Sequence, residues 1–248
     1  MKIAHLRVEA SWHQRASFAF RRRWYAWFLL ISGIWVSLPW LAPVLMHLGW
    51  VGPARAVYAF YSLQCHQLPQ RSFFLFGPQP MVSLAQINAA WRDTLDPRLL
   101  RQFIGTPAMG YKVAWSDRMV SLYTSIPIAT ALWLLVRRRL RPLPIWAFLL
   151  LALPMLLDGG SHMLSDLSGI GQGFRYDNLW LARLTTGSLP VSFYAGDALG
   201  SFNSWMRLLT GMIFGAALVW VVFPQIDTAF AGVVPVAELG LPDGERRA

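Results

Sequence analysis

Long apolar runs separated by short arginine clusters set the hydrophobic pattern of this chain. Between Trp24 and Trp50 no charged residue occurs, and only Pro39 and Pro43 interrupt the run, which is long enough to cross a bilayer with some tilt. A cleaved signal peptide has an apolar core of about 7 to 15 residues, so this run reads as a retained signal anchor. With a first span at about 24–50, three further runs predict spans over about 119–136, 143–160 and 204–223. The predicted fold class is therefore all-α: a polytopic membrane protein of about four transmembrane helices, residues 24–223, with two long outer segments at 51–118 and 161–203. Residues 1–23 form an N-terminal segment, and residues 224–248, with Pro235, Pro242 and Arg246-Arg247, have the composition of a disordered tail.

The polar positions orient this arrangement. Residues 137–141 leave room only for a tight turn and carry four arginines, while Lys2, Arg7, Arg15 and Arg21-Arg22-Arg23 precede the first span. Both clusters are expected in the cytoplasm, which puts both termini there and both long segments on the outer side of the cell membrane. Tryptophans fall at the matching levels, Trp24, Trp27, Trp133, Trp146 and Trp220 toward the inner boundary and Trp40, Trp50, Trp115 and Trp205 toward the outer one, as an aromatic belt would. In the first outer segment Leu84, Ile87, Trp91 and Leu95, then Leu99, Leu100 and Phe103, recur at helical spacing on either side of Asp96-Pro97. They predict two short amphipathic helices lying on the membrane surface. The second segment is rich in glycine and aromatics and reads as a structured loop; within it Asn178 to Gly187 resembles Asn203 to Gly211 in residue content.

Composition sharpens the class. Of 248 residues 55% are hydrophobic and only 14% charged, against about a quarter charged in soluble domains. The net charge of +10 would suit nucleic acid, but the 22 basic residues sit largely beside the apolar runs, where they set topology, and no nucleic-acid partner is expected. A single cysteine, Cys65, rules out an intramolecular disulfide or a dithiolate metal cage within one chain.

Counting about 20 residues from each cytoplasmic helix end brings Asp117, Arg118, Asp158, His162, Asn203 and Arg207 to one level, the outer interface. Ionisable groups there are costly unless they face the bundle interior or water and find partners. Asp158 and His162, four apart, share a face if the helix runs through Gly159-Gly160, and could then ligate one divalent metal or act as an acid/base pair. His66 is a further catalytic or metal candidate, and Cys65 a further metal candidate. Arg71, Arg118 and Arg207 are candidate anion holders, with Asp117 and Asn203 as structural polar residues. Plainer readings stand beside these: His66 in a surface turn, Arg118 and Asp158 as an interhelical ion pair, Arg207 as an interfacial anchor, and Gly211 with Gly215 as a close-packing stripe within the chain or between chains.

Cys65-His66-Gln67, with Pro69 and Arg71-Ser72-Phe73 following, resembles the opening signature of a prokaryotic membrane family, the domain-of-unknown-function family twenty eighty-five. Ser116-Asp117-Arg118 with Tyr123, then Asp158-Gly159, then Asn203, Arg207, Thr210 and Gly211 follow the later motifs in order. The resemblance covers roughly residues 61–215 and implies an uncharacterised, multi-pass membrane protein; it implies no activity. Ser116 stands where the family has its second cysteine and His162 where a glutamine is usual, so metal or redox chemistry through a cysteine pair is not open to one chain here.

Three functions from different classes are compatible with these residues. One is a binding or transport protein taking a metal or anion at the outer face. Another is a membrane enzyme acting on a lipid headgroup or lipid-linked substrate. The third is a non-catalytic subunit or scaffold of a membrane complex. Membrane lipids are expected partners, with a homo-oligomer or a membrane-complex partner as alternatives, and a divalent metal is the one cofactor the residues suggest. The spans are almost wholly apolar, which disfavours a channel. No P-loop, Gly-x-Ser-x-Gly, His-Glu-x-x-His or Cys-x-x-Cys-His sequence occurs.

Overall fold

The structure, a computed structural model, describes residues 12–231. A short helix α1 (Trp12–Arg22) leads into α2 (Trp24–His47), which continues unbroken through Pro39 and Pro43. With α6 (Asp117–Val136), α7 (Ile145–Asp166) and α11 (Phe202–Ala231), α2 makes four helices long and apolar enough to cross a membrane. Most of their exposed side chains are apolar, among them Ile31, Ile34, Leu132, Leu149, Leu156 and Leu157, as lipid-facing surfaces require. Two boundaries differ from expectation. Helix α7 extends past residue 160 to Asp166, and α11 runs through Pro224 to Ala231, into the segment read as a tail. Arg137 meets Asp227 at 3.2 Å, tying that extra turn to the end of α6. The rest of the expected tail, 232–248, and residues 1–11 of the N-terminal segment lie outside the described residues.

Helix α11 packs along α6 through its glycines. A Cβ on Gly211 would lie 2.2 Å from Ser121 Oγ, and one on Gly215 would lie 2.1 Å from Ser125 Oγ, so only hydrogen fits at either position. The Gly-x-x-x-Gly pair thus serves a contact within the chain. At the other end of the bundle Trp24, Trp133, Val219 and Phe223 form a buried cluster with ring centroids 5.0 to 6.2 Å apart. Trp24 and Trp133 are therefore interior residues and not headgroup-facing ones.

The first outer segment is where the fold departs most from an all-helical expectation. After α3 (Val51–Tyr61) it forms β1 (Ser72–Leu75), α4 (Leu84–Ala90), α5 (Pro97–Leu100), β2 (Gly105–Thr106) and β3 (Gly110–Ser116), with the strands in one antiparallel sheet of order β1-β3-β2. The two short helices exist as their sequence signals: Ser83 and Gln86 close a capping box on α4, and Asp96 caps α5 with Pro97 at its first position. Their apolar faces do not lie on the membrane surface. Ile87, Leu100 and Phe103 are buried against Leu68, Phe74 and Ile170, because the sheet offers them a protein core. Trp115, expected in the aromatic belt, is fully buried between Tyr61 and Tyr123 at 5.2 and 4.9 Å. Strand β3 passes directly into α6 at Ser116-Asp117, so the sheet stands on the N-terminal end of a spanning helix.

Candidate functional site

The second outer segment folds as three short helices, α8 (Phe174–Asp177), α9 (Leu179–Leu184) and α10 (Val191–Tyr194), joined by irregular chain. It is held to the bundle by charge. Arg71, just before β1, binds Asp166 of α7 through both terminal nitrogens (2.7 and 2.8 Å) and donates from Nε to Asp197 (3.0 Å). Arg207 of α11 donates from Nε to both oxygens of Asp117 (2.8 and 2.9 Å), and from Nη1 and Nη2 to the carboxylate and carbonyl of Asp197 (2.7 Å each). Burial works against charge on Arg71, but Asp197 and Asp166 outweigh it and hold the guanidinium above its ordinary pKa. Burial likewise works against the Asp197 carboxylate, and Arg71 and Arg207 outweigh it, holding this acid below the usual carboxylate range.

A second set has the opposite balance. Asp158 of α7 receives Arg118 Nη2 on one oxygen (2.7 Å) and Arg175 Nη2 on the other (2.6 Å), two guanidiniums on one carboxylate. Arg175 Nη2 also stands 3.1 Å from His162 Nε2. Because a guanidinium can only donate, Nε2 is the acceptor and the ring proton sits on Nδ1, a buried atom with no hydrogen-bond partner. Arg118 uses only Nη2 on protein side chains; Gly159 makes room for it, since a Cβ there would lie 2.6 Å from Nη1.

Cys65, His66, Arg71, Arg118, His162 and Arg207 all line one cavity of about 460 Å³, together with Asp166 and an apolar side that includes Leu68, Met119, Met163 and Leu167. Cys65 is buried and fixed: its Sγ accepts the backbone N–H of Gln67 (3.3 Å) and of Ser116 (3.4 Å) and donates to Ser116 Oγ (3.5 Å). Gln67 adopts a left-handed backbone (φ 53°) and ties the turn with two bonds from Nε2, to the carbonyls of Tyr58 and Ala114 (2.9 Å each). Below it Lys112 is fully buried, with Nζ donating to the carbonyls of Gln67 (2.8 Å) and Arg101 (2.7 Å). Burial pushes its amine pKa down to about 7.

The structure thus brings Cys65, His66, Arg71, Arg118, His162 and Arg207 to one cavity and joins Asp117 to Arg207 and Asp158 to Arg118. Asn203 stands to the side, donating to the carbonyls of Arg175 (2.5 Å) and Gly196 (2.9 Å) and receiving Asn178 (3.2 Å), so the two similar sequence stretches meet at their asparagines. A shared divalent metal fits these residues poorly: Asp158 and His162 are 3.9 Å apart and the Arg175 guanidinium occupies the place between them. Among the described residues no three His, Cys, Asp or Glu side chains gather as a metal set. Sequence reasoning missed Asp166, Arg175, Asp197 and Lys112. Asp166 continues the Asp158, His162 spacing by one more helical step, Lys112 is one of two lysines in a chain otherwise using arginine, and neither signal is local to Arg175 or Asp197.

Comparison with known proteins agrees with this architecture at a coarse level. Residues 107–221 match a family described as "Predicted membrane protein (DUF2085)". The matched stretch holds Ser116-Asp117-Arg118, Asp158-Gly159 and the Asn203 to Gly211 element; Cys65-His66-Gln67 lies before it. An uncharacterized protein of Methanocaldococcus jannaschii is 41% identical over 61 residues, 23% of this chain and 39% of that protein. The chain therefore spans about two fifths of the length of the curated relative it matches. No solved structure matches the chain.

Proposed function

We propose that this multi-pass membrane protein binds an anionic group in the arginine-walled cavity at the outer membrane face. The observation that carries this reading is the Arg118–Asp158–Arg175 set, in which two guanidiniums share one carboxylate beside a cavity of about 460 Å³. With the neighbouring set the network is balanced, four arginines to four aspartates, so what this set offers an anion is N–H donors that no protein acceptor fills and a locally positive wall. Arg118 has donors left over, and its planar fork suits phosphate or carboxylate. The proton on His162 Nδ1, buried without a partner, costs about 1–3 kcal/mol. The neighbouring set has the reverse balance, three aspartates for two arginines, and its least buried acid, Asp166 at 27% side-chain exposure, sits at the rim. A hydrolytic or acid/base role draws less support, because Arg175 separates Asp158 from His162.

Binding of radiolabelled inorganic phosphate to the detergent-purified protein by equilibrium dialysis, compared with Arg118→Gln, tests this. Saturable binding weakened at least tenfold by the substitution is expected; no binding to the wild type overturns the reading. The orientation that makes this face the outer one rests on the arginines at 137–141 and 21–23, which favour cytoplasmic termini. An Arg139→Cys protein in a Cys65→Ala background should resist a membrane-impermeant maleimide in intact cells and react after lysis; labelling in intact cells would reverse the orientation.

A further inference from the structure

We infer that the anion held in this cavity is the phosphate headgroup of a membrane lipid, whose chain leaves along the outer surface of α7. The inference rests on the anion-binding reading above and adds the source of the ligand. The cavity has a lining of two kinds. Arg71, Arg118, His162 and Arg207 are polar lining residues, and Met119, Met163 and Leu167 are apolar ones. Met163 and Leu167 are four apart on α7, hence one above the other on one helix face, and their exposures are 66% and 80%. Leu164 beside them is 58% exposed. These side chains belong to the C-terminal turns of α7, a helix long and apolar enough to cross a membrane, at the level expected for the outer interface.

A site built for a soluble anion gains nothing from an apolar strip at its mouth, since the ion arrives from water. A lipid needs both halves: guanidinium donors for the phosphate and a continuous apolar track for the first methylenes of its chains. The free donors select the class, because Arg118 uses only Nη2 on a protein side chain and its remaining N–H groups complement the phosphate of an anionic headgroup.

The probe is dioleoyl phosphatidylglycerol, counted by native mass spectrometry on the full-length protein in a neutral detergent, with inorganic phosphate dialysis in parallel. One phosphatidylglycerol per chain should persist where dioleoyl phosphatidylcholine does not. Met163→Asn and Leu167→Asn, both at exposed positions, should weaken phosphatidylglycerol at least tenfold while leaving phosphate binding within twofold. Arg118→Lys, which keeps the charge at Asp158 and removes the fork, should weaken both ligands, and its retention of the wild-type melting transition separates this from misfolding. Phosphate binding without selective lipid retention, or lipid retention untouched by the two mouth substitutions, would overturn the lipid assignment and leave the anion site standing. Absence of both ligands from the wild type would remove the two together.

Discussion

Asp117→Asn keeps the shape of the most enclosed acid among the described residues and removes its charge. Asp117 is fully buried and accepts the backbone N–H of Arg118 (2.8 Å), the hydroxyl of Ser204 (3.2 Å) and Nε of Arg207 at both oxygens (2.8 and 2.9 Å). An asparagine can keep one oxygen toward Arg207 or Ser204, and its amide then points a donor at another donor. Breaking a buried pair by removing one partner costs about 3–5 kcal/mol. Arg207 retains Asp197 through two bonds of 2.7 Å, so its charge is not stranded and the lower end, about 3 kcal/mol, is expected. In a chain of this size that lowers the melting midpoint by on the order of 10 °C. Thermal unfolding in detergent can be followed by the intrinsic fluorescence of the 13 tryptophans. A double-substitution cycle with Arg207→Gln should show a coupling energy well above the roughly 0.5 kcal/mol scatter of independent sites. A loss under about 1 kcal/mol, or simple additivity, would refute the view that this pair locks α6 to α11.

Two other expectations follow from the first outer segment. Lys112 has an ordinary pKa of 10.5, and burial brings it to about 7 in the fold. Between those values the unfolded chain holds a proton that the folded one lacks, so stability should rise as pH increases from 7 toward 10 and be lowest below 7. The ceiling of this gain is about 5 kcal/mol, and Lys112→Met, compared with wild type across that range, should flatten the pH dependence. The same substitution leaves the Gln67 and Arg101 carbonyls without their donor, at about 1–3 kcal/mol each, so the variant is less stable at neutral pH. Separately, Cys65 Sγ and Ser116 Oγ are 3.5 Å apart, and Ser116→Cys should form a disulfide with Cys65 under mild oxidation. Thiol titration before and after reduction reads it out; two persistently free thiols would show the side chains diverge.

The four spans were legible because hydropathy over about 20 residues is set by the bilayer alone, independent of any partner. Depth counting from the arginine turn also found real neighbours, Asp117 with Arg207 and Arg118 with Asp158, since rise per residue is fixed in a helix. The contacts of Arg71 were out of reach: its partners Asp166 and Asp197 lie 95 and 126 residues away, and no period links a loop residue to another loop. The sheet was missed for a related reason. Strands of 4, 2 and 7 residues give too few alternations to read, and Gly110–Ser116 is buried on both faces, which erases the alternation. Arg175 was hidden in a glycine-rich stretch whose fold is dictated by the acid it reaches, not by its own sequence.

The span of chain between Asp117 and its main partner has a consequence for biogenesis. Arg207 follows Asp117 by 90 residues, so during synthesis α6 is made with the carboxylate at its N-terminal end unmatched until α11 has emerged. Asp197, which bridges Arg71 and Arg207, joins only when the segment between α7 and α11 has been made as well. The ion network therefore closes last, after every span is in position. A chain truncated before α11 would present Asp117 without its counter-ion, a distinguishable mark for quality control to read.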